Sequence, residues 1–442
     1  MSSRTSASGN RTGVVGLLRH VAVDVRPLRL PAFRRLWVGN AVSYIGIQVT
    51  AVAVPVQMYE ITRSSLWVGL LGLAGLLPLV GFAVWGGAVA DIVDRRRLYL
   101  TSSLFTWLVT VCLVVQALLR LDNPFILLTL VALQAVGFAI SSPTRTAIVP
   151  RLVPAEWVPA ANTLNFTASS FGSVAGPLLA GVVLSAGGGF TAAYALDAVL
   201  FTVVLWAAVR LPALPPEASA PDSADPTGND SKHRAGWASI AAGLRFITGT
   251  PVVWLSFAVD ILAMLLAMPR ALFPEVAESS FGGEQAVGWL YSAIAVGSVL
   301  GGLMSGWIGR VRRQGVALVA AVLAWGAAVA LAGLAPSLWL AVLLLAVAGF
   351  ADLVSAVYRQ TILQLHAPDR MRGRMQGVFV AVVAGGPRLG DLRAGATAAL
   401  AGPTVAWVGG GVACVIAVVA LTAAFPSLLR YDGRPSPEGR PE

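Results

Sequence analysis

Gly86-Gly87-Ala88-Val89-Ala90-Asp91-Ile92-Val93-Asp94-Arg95-Arg96-Arg97 closes one long apolar run and opens the next. Gly301, Gly302, Arg310 and Arg312 repeat its frame in the second half of the chain. Two further groups match at nearly the same offset, about 214 to 217 residues: Trp37, Ala41 and Val42 with Trp254, Ala258 and Val259, and Arg145 and Ile148 with Arg359 and Ile362. One matched pair would mean little. Three groups at nearly one offset are hard to obtain by chance and indicate a duplicated unit.

Each unit is built of apolar runs of about 20 residues, long enough as helices to cross roughly 30 Å of hydrocarbon. The twelve spans read as 36–58, 66–90, 98–119, 124–142, 163–186, 190–209, 252–273, 287–308, 316–335, 338–358, 378–401 and 404–425. The first follows an Arg-rich stretch and is too long for a signal h-region. Of the 442 residues, 57% are hydrophobic and 12% charged, too few polar residues to cover a soluble surface. The expected fold is therefore all-α, a membrane protein of two six-helix halves with the bilayer as solvent. Its segments are a tail 1–35, a first half 36–210, a linker 211–250, a second half 251–425 and a tail 426–442. The linker is rich in Pro, Ser, Asp and Ala and cannot bury enough apolar surface to fold alone, while 237–247 has the pattern of an interfacial helix.

Charge sets the orientation. With the N-terminus inside, 26 Arg and Lys fall in cytoplasmic segments and three, Arg63, Arg120 and Arg270, outside. Basic residues are retained on the cytoplasmic side, which places both termini there. The net charge of +10 does not mark a nucleic-acid binder, because the arginines sit between spans rather than on a basic face. Lys232 is the only lysine, and with abundant Ala and Val this looks like the bias of a GC-rich bacterial genome. The histidines, His20, His233 and His366, fall in tails or loops, and no nucleotide-binding loop or paired metal ligands are present. Neither an enzyme nor a resident cofactor or metal is expected, and energy for any transport comes from an ion gradient. Cys112 and Cys414 lie in separate apolar runs and read as small hydrophobes.

Gly87-x-x-x-Asp91-x-x-Asp94-Arg95-Arg96-Arg97 resembles the signature loop of the major facilitator superfamily, with Ile92 where a base is common and Asp94 where Gly is usual. Gly172-x-x-x-Gly176-Pro177-x-x-x-Gly181 resembles the superfamily's antiporter motif, which is associated with exporters. Longer strings, Ala53-Val54-Pro55-Val56-Gln57, Trp67-Val68-Gly69-Leu70, Gly288-Trp289-Leu290-Tyr291 and 368–374 (PDRMRGR), are similar to the enterobactin exporter family. The resemblance implies a proton-coupled exporter of a siderophore in the bacterial plasma membrane, or a multidrug or macrolide exporter of the same branch. It assigns gating to Gly87, Asp91, Asp94, Arg95, Gly176 and Pro177.

Ionisable residues inside spans mark the remaining candidates, since a charge in hydrocarbon is costly and faces a cavity or a partner. Asp260, Asp352 and Asp391 are candidate proton-coupling acids. Arg388 and Asp391 stand three apart on one helical face, either as a structural ion pair or as a tuned carboxylate and an anion-holding cation. Asp391 falls on the acid the resembled family carries in span 11. Tyr44, Gln48, Gln134, Tyr291, Tyr358 and Arg388 are expected to line a central cavity, with Arg359 at its inner mouth. No acid occurs in span 1, which moves the expected coupling site to the second half.

Overall fold

The computed structural model describes residues 24–215, 245, 247–366 and 372–432, the side chains of 83–92 and 372–381 excepted. Most of the linker 211–250, including most of the segment 237–247, lies outside the described residues, as do the surroundings of Gly87 and the side chain of Asp91. Within them all regular structure is helical. The first half holds α1 (Pro31–Thr62), α2 (Ser65–Ile92), α3 (Arg95–Leu118), α4 (Pro124–Leu152), α5 (Val158–Val183) and α6 (Gly189–Val209). The second holds α7 (Pro251–Ala267), α8 (Glu284–Leu303), α9 (Gln314–Ala332), α10 (Leu338–His366), α11 (Arg372–Ala401) and α12 (Pro403–Ala424). Among the described residues ten stretches are long and apolar enough to cross a membrane. One of them, Ala155–Val209, contains both α5 and α6, and α11 falls short because Arg388, Asp391 and Arg393 dilute it.

Local chemistry sets the ends. Proline opens α1, α4, α7 and α12, where its missing N–H would have had no partner. Asn123 caps α4 by accepting from Phe125 N at 2.9 Å, and Asp94 caps α3 by accepting from Arg97 N at 3.0 Å. The turn from α11 to α12 passes through Gly402 at φ 87°, a conformation open to glycine.

Three boundaries depart from the sequence reading. Span 4 was expected to end at Ser142, before Pro143, yet α4 runs to Leu152 with Pro143 and Pro150 inside it. Proline is tolerated inside membrane helices, where neighbouring helices and local hydroxyls support the loosened turn; here Thr144 and Thr146 donate to the carbonyls of Ile140 and Ser142 beside Pro143. Likewise α10 continues to His366, so Arg359 lies inside a helix rather than at a mouth. Conversely span 7 is not continuous to Phe273. It breaks after Ala267 at Met268 and Pro269, turns through Arg270–Leu272, and resumes as a short helix Phe273–Ser280.

Helix pairs recur six helices later. In the first half α1 packs on α5 and α6, α2 on α4, and α3 on α4 and α6; in the second, α7 packs on α11 and α12, α8 on α10, and α9 on α10 and α12. The halves meet along two seams, α2 with α11 and α5 with α8. At one end these seams are tight. Gly69 and Gly72 lie against the backbone of Asp391 and Arg388, Gly395 against Ser65, and Gly181 against Gly288, so backbones touch where only glycine fits. Arg63 and Glu278 form an ion pair of 2.5 Å across the same end, and Ser65 donates to Glu275. Toward the other end Gly81 of α2 meets nothing within 4 Å, and Gly302 of α8 meets only Leu353 of its own half. The space between the halves is thus closed at the Arg63 end and open toward the Arg95 end.

Candidate substrate cavity and coupling groups

That space is a cavity of about 1110 Å³. Its first-half wall mixes apolar and neutral polar side chains and is almost without charge. Tyr44 and Gln48 of α1 and Gln134 of α4 line it, as expected. The Tyr44 hydroxyl lies 3.4 Å from Ser173 Oγ, and Gln134 Nε2 donates to Thr110 Oγ1 at 3.3 Å. The small residues of α5 bring these groups together. Gly172 lies against the Tyr44 ring and Gly176 against Gln48, so Gly176 packs inside its own half, whereas Pro177 and Gly181 reach Gly288 across the seam.

The second-half wall carries charge: Arg270, Asp352, Arg388 and Asp391 line it together with Tyr291. Its organisation follows from the break in α7. A helix that stops in the bundle leaves carbonyls without partners at its end and amides without partners where the chain resumes. Arg393 answers the first need: Nε donates to Leu265 O at 3.2 Å, Nη2 to Leu266 O, and Nη1 to Ala406 O at 3.3 Å. Asp391 answers the second, its Oδ1 accepting from Ala271 N at 3.2 Å. A cation thus meets the C-terminal end of one helix and an anion the start of the next, the favourable sign at each. The i, i+3 pairing expected of Arg388 with Asp391 is not formed, because Asp391 is turned to the break and Arg388 donates to Ala384 O of its own helix at 2.7 Å.

Two expected cavity residues lie elsewhere. Tyr358 is 1% exposed and donates to Ile308 O at 3.2 Å, away from the cavity. Arg359 is not at an inner mouth but buried, ion-paired with Asp260 and 3.8 Å from Asp352. Its Nε also donates to Ser355 O at 3.3 Å. The added length of α10 is the reason: it carries Arg359 into the packing against α7, where Asp260 is 2% exposed. Asp260 therefore stands behind the cavity wall and Asp352 on it, two carboxylates sharing one guanidinium.

Of the gating residues, Asp94 and Arg95 hold to their own half. Asp94 Oδ2 accepts from Leu214 N at 3.1 Å, Arg95 N donates to Leu214 O at 3.1 Å, and Arg95 Nη1 donates to Ala147 O at 3.4 Å. Cys112 is exposed and Cys414 buried, both as free thiols.

Two charged cavity residues are missing from the sequence-based expectations. Arg270, placed there on the outer side at the end of span 7, is turned onto the cavity wall by the break at Pro269, and its carbonyl accepts from the Tyr291 hydroxyl at 3.1 Å. Asp197 of α6 also borders the cavity. Its signal was the one used for the other acids, a carboxylate in mid-span, in Tyr194-Ala195-Leu196-Asp197-Ala198.

Residues 22–436 match the transmembrane secretion effector family. Over 410 residues the chain is 30% identical to the enterobactin exporter EntS of Shigella boydii, covering 92% of this chain and 94% of that one. The enterobactin exporter EntS of Escherichia coli is similar to the same extent. Among solved structures, the nucleoside transporter NupG superposes with a TM-score of 0.69 at 15% identity over 90% of this chain and 99% of its own. A bacterial homologue of the human lysosomal transporter Spinster, inward-facing and unoccupied, gives 0.68 at 18% identity over 92% and 97%. These two share the fold. Twelve long helices among the described residues, in two repeated halves around a central cavity, with a family match along nearly the whole chain, make this protein a multi-pass membrane transporter of the major facilitator superfamily that belongs to the transmembrane secretion effector family.

Proposed function

We propose that the protein is a proton-coupled secondary exporter that carries an enterobactin-like siderophore outwards across the bacterial inner membrane, with both termini in the cytoplasm. The likeness to enterobactin exporters along 92% of the chain carries this reading. The cavity's chemistry supports it. Among the described residues no carboxylate lies within ion-pair distance of Arg270 or Arg388, so two guanidinium groups face the cavity with donors to spare. Guanidinium suits oxygens with partial negative charge, such as those of a catechol or hydroxamate, and the rings of Tyr44, Tyr291, Phe138 and Phe166 offer stacking faces. A volume of about 1110 Å³ exceeds the roughly 300–1,000 Å³ of ordinary small-molecule pockets, which fits a large cargo.

In the orientation set by the arginine asymmetry, the open end faces the cytoplasm, and this conformation is the one that loads cargo. Rocking of the halves then parts the glycine-lined seams and the Arg63–Glu278 pair while closing the Arg95 end. Asp391, Asp352 and Asp260 form the second-half coupling group. Protonation of Asp391 weakens its hold on Ala271 N and so loosens α11 from the break in α7. Asp91 and Arg95 latch the cytoplasmic end when the carrier faces outward.

The test is deletion of the gene in iron-starved cells. Siderophore accumulates inside and falls in the medium, with macrolide susceptibility little changed. Normal secretion with susceptibility raised several-fold would refute the siderophore reading. It would favour a drug exporter, for which Asp352 on the wall offers an acid to an amine.

A further inference from the structure

Asp197 has no part in the scheme above, yet its surroundings are those of a working acid. It is 1% exposed, on a helix that packs against α1 and α3. Oδ2 accepts from Thr50 Oγ1 of α1 at 2.6 Å. Oδ1 is buried with no hydrogen-bond partner. The carboxyl rests on Gly46, where a Cβ would come within 2.6 Å of Oδ1, so α1 makes room for it. Thr50 and Asp197 together border the cavity, where water arrives from one side and then the other as the halves rock.

Among the described residues no countercharge accompanies it. From α1 the facing groups are Gly46 and Thr50; from α3 Trp107 approaches, its Nε1 donating to Ala198 O at 3.0 Å; α5 brings no titratable side chain. Among the described residues no ion pair reaches the carboxyl. The cavity's charged groups, Arg270, Asp352, Arg388 and Asp391, all belong to the second half. A single hydroxyl donor is poor compensation for an ionised carboxylate, whose burial without a partner charge is costly. A neutral carboxyl keeps the Thr50 bond and leaves Oδ1 free to carry a proton. A carboxylate used only to join α1 to α6 would gain nothing over an amide, which offers Thr50 the same acceptor.

We propose that Asp197, with Thr50, is a proton-binding site of the first half, so that coupling draws on an acid in each half rather than on the second half alone. The inference rests on the proton-coupled reading. Purified wild type, Asp197→Asn and Thr50→Val are compared in proteoliposomes with enterobactin as the transported probe, by counterflow exchange and by uptake driven by an imposed pH gradient. Asp197→Asn retains counterflow, which needs no net proton movement, while gradient-driven accumulation falls at least about tenfold. Thr50→Val, which leaves the carboxyl in place, displaces the midpoint of the pH profile, an effect that loss of a merely structural hydrogen bond does not produce. Wild-type accumulation and pH profile in Asp197→Asn overturn the proposal. If that variant fails to reach the membrane, an undisplaced midpoint in Thr50→Val overturns it instead. Wild type that ignores the gradient sinks the proton-coupled reading itself, and this inference with it.

Discussion

Arg393→Gln removes the cation that closes the broken end of α7. The guanidinium donates to Leu265 O, Leu266 O and Ala406 O, and the first two carbonyls lie in the last turn before the break. Each buried acceptor left without a donor costs about 1–3 kcal/mol. Two such carbonyls, with cavity water offsetting part of the loss, give an expected destabilisation of about 3 kcal/mol. A cooperative unit of about 150–250 residues, the size of one six-helix half, shifts its Tm by roughly 2–4 °C per kcal/mol, or roughly 6–12 °C here. The assay is thermal unfolding of the purified protein in detergent, followed by size-exclusion chromatography. Arg388→Gln is the control, because that guanidinium donates only to Ala384 O of its own helix. Arg393→Lys recovers part of the loss, since an ammonium reaches fewer of the three carbonyls at once. Equal, small shifts for Arg393→Gln and Arg388→Gln would refute the reasoning that Arg393 exists to satisfy the break.

Topology can be read by thiol labelling on a Cys-free background: cysteines at Arg63, Arg120 and Glu278 react with an impermeant reagent in intact cells, and those at Asp94, Asp230 and Gln314 do not. Labelling of the second set overturns the orientation. Arg270→Gln and Arg388→Gln each weaken siderophore binding about tenfold or more, the loss of a charged hydrogen-bond partner, with membrane abundance retained; titration against purified protein checks it, and unaltered affinity in both removes the anion-binding wall. Asp391→Asn abolishes uphill export and its pH dependence while some substrate binding survives, and full pH-driven export by that variant moves the second-half role to Asp352 or Asp260. Asp91→Asn lowers transport at near-normal abundance, whereas unchanged flux leaves Asp91 without a gating role.

The cavity shows which kinds of inference pass from sequence to site. Tyr44, Gln48, Gln134, Tyr291 and Arg388 reached the wall because helical period and span number suffice to aim a side chain when a helix is straight. Tyr358 and Arg359 did not, because a helix end was misplaced by eight residues between Tyr358 and His366. Arg270 and the break beside it were hidden for the opposite reason, a span assumed continuous through Pro269. The reading of Arg388 with Asp391 as a pair followed from spacing on one helix, and spacing says nothing of the orphan amide of Ala271 on another.

By itself the sequence determined that the chain spans a membrane as two repeated six-helix halves, and it carried the family in its motifs. Both follow from quantities summed along the chain, apolar length and residue order, which survive errors at any one position. Tertiary structure alone decided which end is closed, how Arg393 and Asp391 serve the break in α7, and that Arg359 lies between Asp260 and Asp352. The closure depends on glycine backbones meeting across the seams, and the other two on polar groups finding a partner on another helix. In a low-dielectric bundle an unsatisfied polar group is costly, and the choice of its partner is made by distances of about 3 Å between residues that can stand more than a hundred positions apart in the chain, as Arg393 does from Leu265 and Asp391 from Ala271.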